Sequence, residues 1–147
     1  MLEEPRAELT AMFTLRLLHR EGVLDAAGLE KALAHFALDG LRYFSKYDSE
    51  ALYPYIIFQI YAHKVYASHG YLSLHPESGK LVLDGSKTLA VLDEFAECFE
   101  RILAGEDRSD GVALEKILFE EMSPENDMVR AVLGLLSGSA TKKAKKA

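Results

Sequence analysis

From Pro54 to Ser68 the chain reads PYIIFQIYAHKVYAS, a run with no glycine and no internal proline. As a helix it would place Ile56, Ile57, Phe58, Ile60, Tyr61, Ala62, Val65 and Tyr66 almost all the way round. Only a narrow strip near Gln59, His63 and Lys64 would be left for water. Pro54 suits a first helical turn, Asp48 and Ser49 are available as caps, and Gly70 is the next residue that breaks the pattern. A helix apolar on nearly every side must be central and packed by several neighbours, so the remaining elements have to be arranged around it.

This run lies inside the densest aromatic stretch of the chain. All seven tyrosines and two of the five histidines fall between residues 43 and 71. Along the helix Tyr55, Phe58, Ala62, Val65 and Tyr66 share much of one side, and Phe58, Tyr61 and Val65 much of another. Neighbouring helices can cover both, with the phenols reaching polar partners at the rim. A second copy of the chain can cover them, since tyrosine is enriched at interface cores. A gap could instead form an aromatic-walled cavity for a flat apolar ligand, built from Tyr55, Phe58, Tyr61, His63 and Tyr66. Packing is the expectation; the ligand-binding set is the alternative.

The rest of the chain supplies the covering elements. Pro5 opens a helix that ends before Gly22, with Leu9, Met12, Phe13, Arg16 and Leu17 along one side. Asp25 caps a second helix carrying Leu29, Leu33 and Phe36 at three- and four-residue steps. Gly40 either ends or bends it, and Leu41 to Tyr47 either continue it or begin another. After Gly70 the period changes. Leu72 and Leu74, then Leu81 and Leu83, flank a turn at Pro76 to Gly79, which predicts a β-hairpin whose leucine face lies on the helices. From a cap at Ser86, residues Leu89, Leu92, Phe95, Ala96, Phe99, Ile102 and Leu103 trace the inner face of a helix stopped by Gly105. Two more helices are expected, from Ser109 or Asp110 with Leu114, Ile117 and Leu118 inward, and from Ser123-Pro124 through Leu136. The predicted fold is mainly all-α: a single-domain bundle of five or six helices over residues 1–137, a small hairpin near residues 71–84, and a disordered lysine-rich tail at residues 138–147.

Charge is unevenly distributed. Residues 84–127 carry thirteen acids and four bases, whereas residues 128–147 carry five bases and no acid. Without the tail lysines the body is strongly acidic and repels phosphate, so direct binding of nucleic acid is not expected. No run approaches the length of a membrane span, and the start MLEEPRAEL lacks a secretory pattern; no membrane partner is expected. A single cysteine, Cys98, permits no internal disulfide, and a cytoplasmic location follows as the expectation.

Catalytic and metal chemistry find little support. His63, His69 and His75 recur at six-residue steps, which on a helix differ by about 240° and do not converge; helix-end or surface roles are expected for them. No Glu-x-x-His pair and no Cys-x-x-Cys occurs, so no metal or cofactor is expected. Cys98 lies beside an apolar face among acids, where a thiolate is disfavoured. Ser68-His69 are adjacent residues with no orienting acid in view. Asp93, Glu97 and Glu100, like Glu120 and Glu121, read as a hydrated face that attracts a basic protein, with no catalytic residue among them. The expected function is therefore a non-enzymatic interaction or regulatory module, self-associating as a homodimer or larger homo-oligomer. The alternative is a small-molecule binder or enzyme using the aromatic set above.

Overall fold

The computed structural model describes residues 3–44 and 53–107, with the side chains of residues 4–43 and 58–104. Four α-helices and a two-stranded antiparallel sheet occur among the described residues, where five or six helices are expected for the whole chain. The caps at Asp48 and Ser49, the two helices expected after residue 108 and the lysine-rich tail lie outside the described residues, as do the side chains of Tyr53 and Tyr55.

Helix α1 spans Glu3–Arg20 and buries Leu9 and Met12. It ends in a Schellman motif: Gly22 takes φ +72°, its N–H donates to His19 O at 3.0 Å, and the Val23 N–H donates to Leu18 O at 2.9 Å. Helix α2, Ala26–Phe44, begins where Asp25 Oδ1 accepts from the Gly28 N–H at 2.7 Å, satisfying one of the first-turn donors. Gly40 neither ends nor breaks α2, because it serves a different purpose. A Cβ there would fall 2.7 Å from Gln59 Cδ and closer still to its Oε1, so the missing side chain is the space that Gln59 fills.

Helix α3, Tyr53–Ser68, is the central rod, touched by α1, α2, the hairpin and α4. Its end repeats the device used by α1. Gly70 takes φ +68°, its N–H donates to Ala67 O at 3.0 Å and the Tyr71 N–H to Tyr66 O at 2.8 Å. Tyr66 and Tyr71 supply the side-chain contact that accompanies this motif, with ring centroids 5.4 Å apart. Two of the seven tyrosines therefore stand where they do because a helix stops there.

Strands β1, Leu72–Leu74, and β2, Leu81–Leu83, pair Leu72 with Leu83 and Leu74 with Leu81. The four leucines share a face, since side chains on one side of a strand recur every second residue. Only the inner pair docks: Leu72 is buried and Leu83 packs on the core, whereas Leu74 and Leu81 are exposed. The expected leucine face thus reaches the helices at its base alone.

A 3-10 turn, Gly85–Lys87, leads directly into α4, Thr88–Asp107. Asp84, not Ser86, caps this entry: its Oδ1 accepts from the Ser86 N–H at 3.0 Å and from the Ser86 hydroxyl at 2.6 Å. The extra turn displaces the cap two residues upstream of the expected position. Helix α4 also runs through Gly105, since one glycine costs a helix only about 1 kcal/mol. Its buried face is Val91, Leu92, Phe95, Ala96, Cys98 and Ile102, while Leu89 and Leu103, expected inside, are exposed. Helix α1 makes its most extensive contact with α4 and runs antiparallel to it, as Arg16 meets Asp93 and Phe13 meets Phe99 with centroids 5.2 Å apart.

Candidate functional site

The aromatic residues of α3 are where a ligand pocket is to be sought. Phe58, Tyr61 and Tyr66 are each no more than 2% exposed. They surround Phe95 of α4, whose ring centroid lies 6.1 Å from Phe58, 5.9 Å from Tyr61 and 5.8 Å from Tyr66. The Tyr61 and Tyr66 rings present edges to Phe95, the geometry that sets the positive rim of one ring against the negative face of another. Within this cluster the space between α3 and α4 is filled by the rings themselves.

His63 stands among them. It is fully buried, its Nδ1 bonds the Gln59 carbonyl at 2.8 Å, and its ring meets Tyr66 edge-on at 5.3 Å. A carbonyl only accepts, so Nδ1 carries the proton of the neutral ring. Burial pushes the imidazole down to about 4, with the bond to Gln59 opposing. Gln59 is buried as well, so the strip expected to be wet narrows to Lys64. His63 is therefore neither a helix-end nor a surface group. Gln59 is enclosed where α2 approaches the rod, since Gly40 gives it room, and His63, one turn along α3, is buried beside Tyr66.

Burial also holds the Tyr66 phenol far above its ordinary range, reinforced by the charges of Tyr71 and Glu8, and lifts Tyr71 to about 12 with help from Glu30. At neutral pH both phenols keep their protons and His63 carries no charge. Protonated phenols do not act as general bases, and the low pKa of His63 makes its neutral ring a weak one.

The other two histidines of the six-residue series diverge. His69 sits just past α3, where its Nε2 contacts Glu94 Oε2 of α4, and His75 is exposed at the hairpin turn. Ser68 donates to Val65 O at 2.9 Å, so it and His69 face different partners. An acid does stand beside His69, a pairing that sequence inspection does not show because twenty-five residues separate the two. The Ser68 hydroxyl is committed to Val65 O, and Cys98 is buried in the core. Among the described residues, no group of three or more histidine, cysteine, aspartate or glutamate side chains is placed to hold a metal ion.

Beside the His69–Glu94 contact an open polar groove of about 360 Å³ runs along α4, lined by His69, Ala90, Asp93, Glu94, Glu97 and Arg101. Asp93 also contacts Arg16 of α1. Asp93, Glu97 and Glu100 are exposed. Of the groove's carboxylates, Asp93 and Glu94 already meet Arg16 and His69, and Glu97 is exposed. No helix of the described residues is long and apolar enough to cross a membrane. Compared with protein-family models, with curated proteins and with solved structures, the chain matches none.

Proposed function

We propose that the protein is a non-enzymatic interaction module that self-associates and offers the outer side of α4 to a basic protein. One observation carries this reading: the rings of Phe58, Tyr61 and Tyr66 are turned onto Phe95 inside the bundle, while the α4 carboxylates line an open groove. Among the described residues, the buried rings of α3 thus serve cohesion, and carboxylates of α4 face water.

Acidic surfaces accelerate encounter with cationic partners and exclude proteins of like charge. Self-association is supported by the large side chains left in water, among them Leu38 at 52% exposure, Leu89 at 48% and Val82 at 42%. Single exposed apolar residues are ordinary, so the size of the particle decides the point.

Light scattering on a size-exclusion peak, followed by native mass spectrometry, tests the proposal. A dimer or larger assembly is expected, together with capture of a lysine-rich peptide that weakens as salt rises and is lost when Glu97 and Glu100 are both replaced by lysine. A monomer carrying a bound molecule of several hundred daltons would overturn it in favour of a small-molecule binder.

A further inference from the structure

The hairpin ends in a free edge. Its sheet has two strands, so among the described residues β2 has no strand on its outer side. A hairpin alone is marginal in water, and an unpaired edge is a template for another strand. Three features of β2 fix what that strand can be.

The first is the direction of its main-chain groups. The His75 N–H donates to Lys80 O and the Asp84 N–H to Tyr71 O, each at 2.8 Å. With Leu72 opposite Leu83, Ser73 opposite Val82 and Leu74 opposite Leu81, these bonds set the phase of the hairpin. Lys80, Val82 and Asp84 turn their main-chain groups toward β1. Leu81 and Leu83, at the alternate positions, turn theirs outward.

The second is the order of side chains, Lys80-Leu81-Val82-Leu83-Asp84. Laid against itself in the antiparallel sense about Val82, this segment sets leucine opposite leucine, with lysine opposite aspartate at both ends. The outward groups of Leu81 and Leu83 then face one another, so hydrogen-bonding phase and charge agree on one register. The neighbouring registers of the same phase place Lys80 or Asp84 against Val82 instead.

The third is exposure. Lys80 and Asp84 are exposed, as are Leu81 at 37% and Val82 at 42%. Asp84 caps the turn before α4 through Oδ1, and its Oδ2 is a second acceptor.

We infer that β2 is the contact through which the chain self-associates: a second copy lays its own β2 antiparallel alongside, joining the two hairpins in one continuous sheet. Leu81 and Leu83 of each copy exchange main-chain hydrogen bonds with Leu83 and Leu81 of the other. Lys80 of each meets Asp84 of the other at a closely spaced position, where opposite charges stabilise the pairing and like charges oppose it. The Val82 pair lies on the two-fold axis, as an isologous contact requires. Because the strands run oppositely, each helical bundle is attached at its own end of the shared sheet, where its inner leucine pair docks. The inference rests on the self-association in the proposed function and names the surface that carries it; the acidic side of α4 plays no part.

The test uses the full chain. Sedimentation equilibrium over a range of concentrations should show a dimer whose dissociation constant rises at least about tenfold in Lys80→Asp, which sets aspartate opposite Asp84 at both ends. Leu81→Pro should do likewise, since it removes an outward N–H and leaves the bonds within the hairpin in place. Asp84→Lys should also weaken the dimer, and mixing it with Lys80→Asp should restore a heterodimer in which opposite charges meet again. Asp84→Lys forfeits a cap, so thermal midpoints accompany the measurement; Lys80→Asp, at an exposed position, should melt as the parent does. Val82→Cys should form a symmetric disulfide dimer in oxidised glutathione, because facing residues at such a position have Cα atoms about 4.5 Å apart. Ser73→Cys, on β1 and away from the axis, should not. A dimer as tight in Lys80→Asp and Leu81→Pro as in the parent, or one that Val82→Cys does not cross-link, would overturn the inference and leave self-association standing. A parent that stays monomeric at every concentration would overturn both.

Discussion

Gln59 of α3 occupies the space where Gly40 of α2 has no side chain: a Cβ on Gly40 would stand 2.7 Å from Gln59 Cδ and 3.3 Å from Nε2. Gln59 is buried, so it has no solvent into which to swing. Gly40→Ala should therefore destabilise the protein by about 1–3 kcal/mol through overpacking, although alanine is the better helix former by about 1 kcal/mol. Shortening Gln59 to Ser in the same chain should restore most of the loss. Denaturant unfolding of the two single variants and the double variant measures the coupling, and additive effects would contradict the contact.

His63 makes stability depend on acid. Its pKa in the fold, about 4, lies below the ordinary value of 6.5, so the unfolded chain takes up the proton first. The stabilisation is complete above pH 6.5 and is lost as pH falls towards 4, by about 1.4 kcal/mol per unit and about 3 kcal/mol in all. Replacing His63 with leucine should flatten the stability curve between those limits, while the curve above pH 7 keeps its slope. Urea unfolding at half-unit pH steps provides the comparison.

Glu8 acts with the opposite sign. Burial raises its pKa first, followed by the charges of Glu4 and Asp39. The neutral form is the better tolerated, so its ionisation opposes folding as pH rises through that range. Glu8→Gln should stabilise the protein at pH 7 by less than about 1 kcal/mol, since half-exposed charges are screened, and should have no such effect at pH 3.

Phe95 is the ring on which the aromatic cluster closes. It is fully buried, and three rings of α3 lie within 6.1 Å of it, centroid to centroid. Phe95→Ala should cost about 3–5 kcal/mol and blur the near-ultraviolet circular dichroism of the tyrosines. Phe95→Leu should retain more than half of that stability and a distinct signal.

The hairpin offers a comparison between two leucines on one face. Leu72→Ala, at the buried base, should cost about 2–3 kcal/mol. Leu74→Thr, two residues along and exposed, should stay roughly within 0.5 kcal/mol of the parent. Equal losses at both positions, read from thermal midpoints, would mean that the outer pair is covered in solution.

Much of the scaffold is legible in the chain because local chemistry dictates it. Gly22 and Gly70 mark helix ends because the left-handed backbone there favours glycine, and Asp25 announces a helix through the first-turn donor it satisfies. The α3 rod declares itself by having nowhere to place a wet face. What stays hidden depends on neighbours remote in sequence. Gln59 looks wet because side-chain polarity says nothing of a glycine nineteen residues upstream that gives it room against α2, and His63 looks wet although the bundle buries it. Leu89 and Leu103 lie within α4's apolar stripe, yet packing favours Val91 and Cys98 instead. The His69–Glu94 contact, and with it the α4 groove, joins segments that share no pattern. A chain reads its turns aloud, but its clefts arise only when distant ends meet.

The antiparallel pairing of α1 with α4 has a consequence for birth of the protein on the ribosome. Helix α1 can meet α2 and α3 early, but it must wait some seventy residues for α4, with which its contact is most extensive. Loop closure over that distance comes late and all at once. A nascent chain arrested before Thr88, in which α1 lacks α4, should be cut by proteases more readily than the full chain.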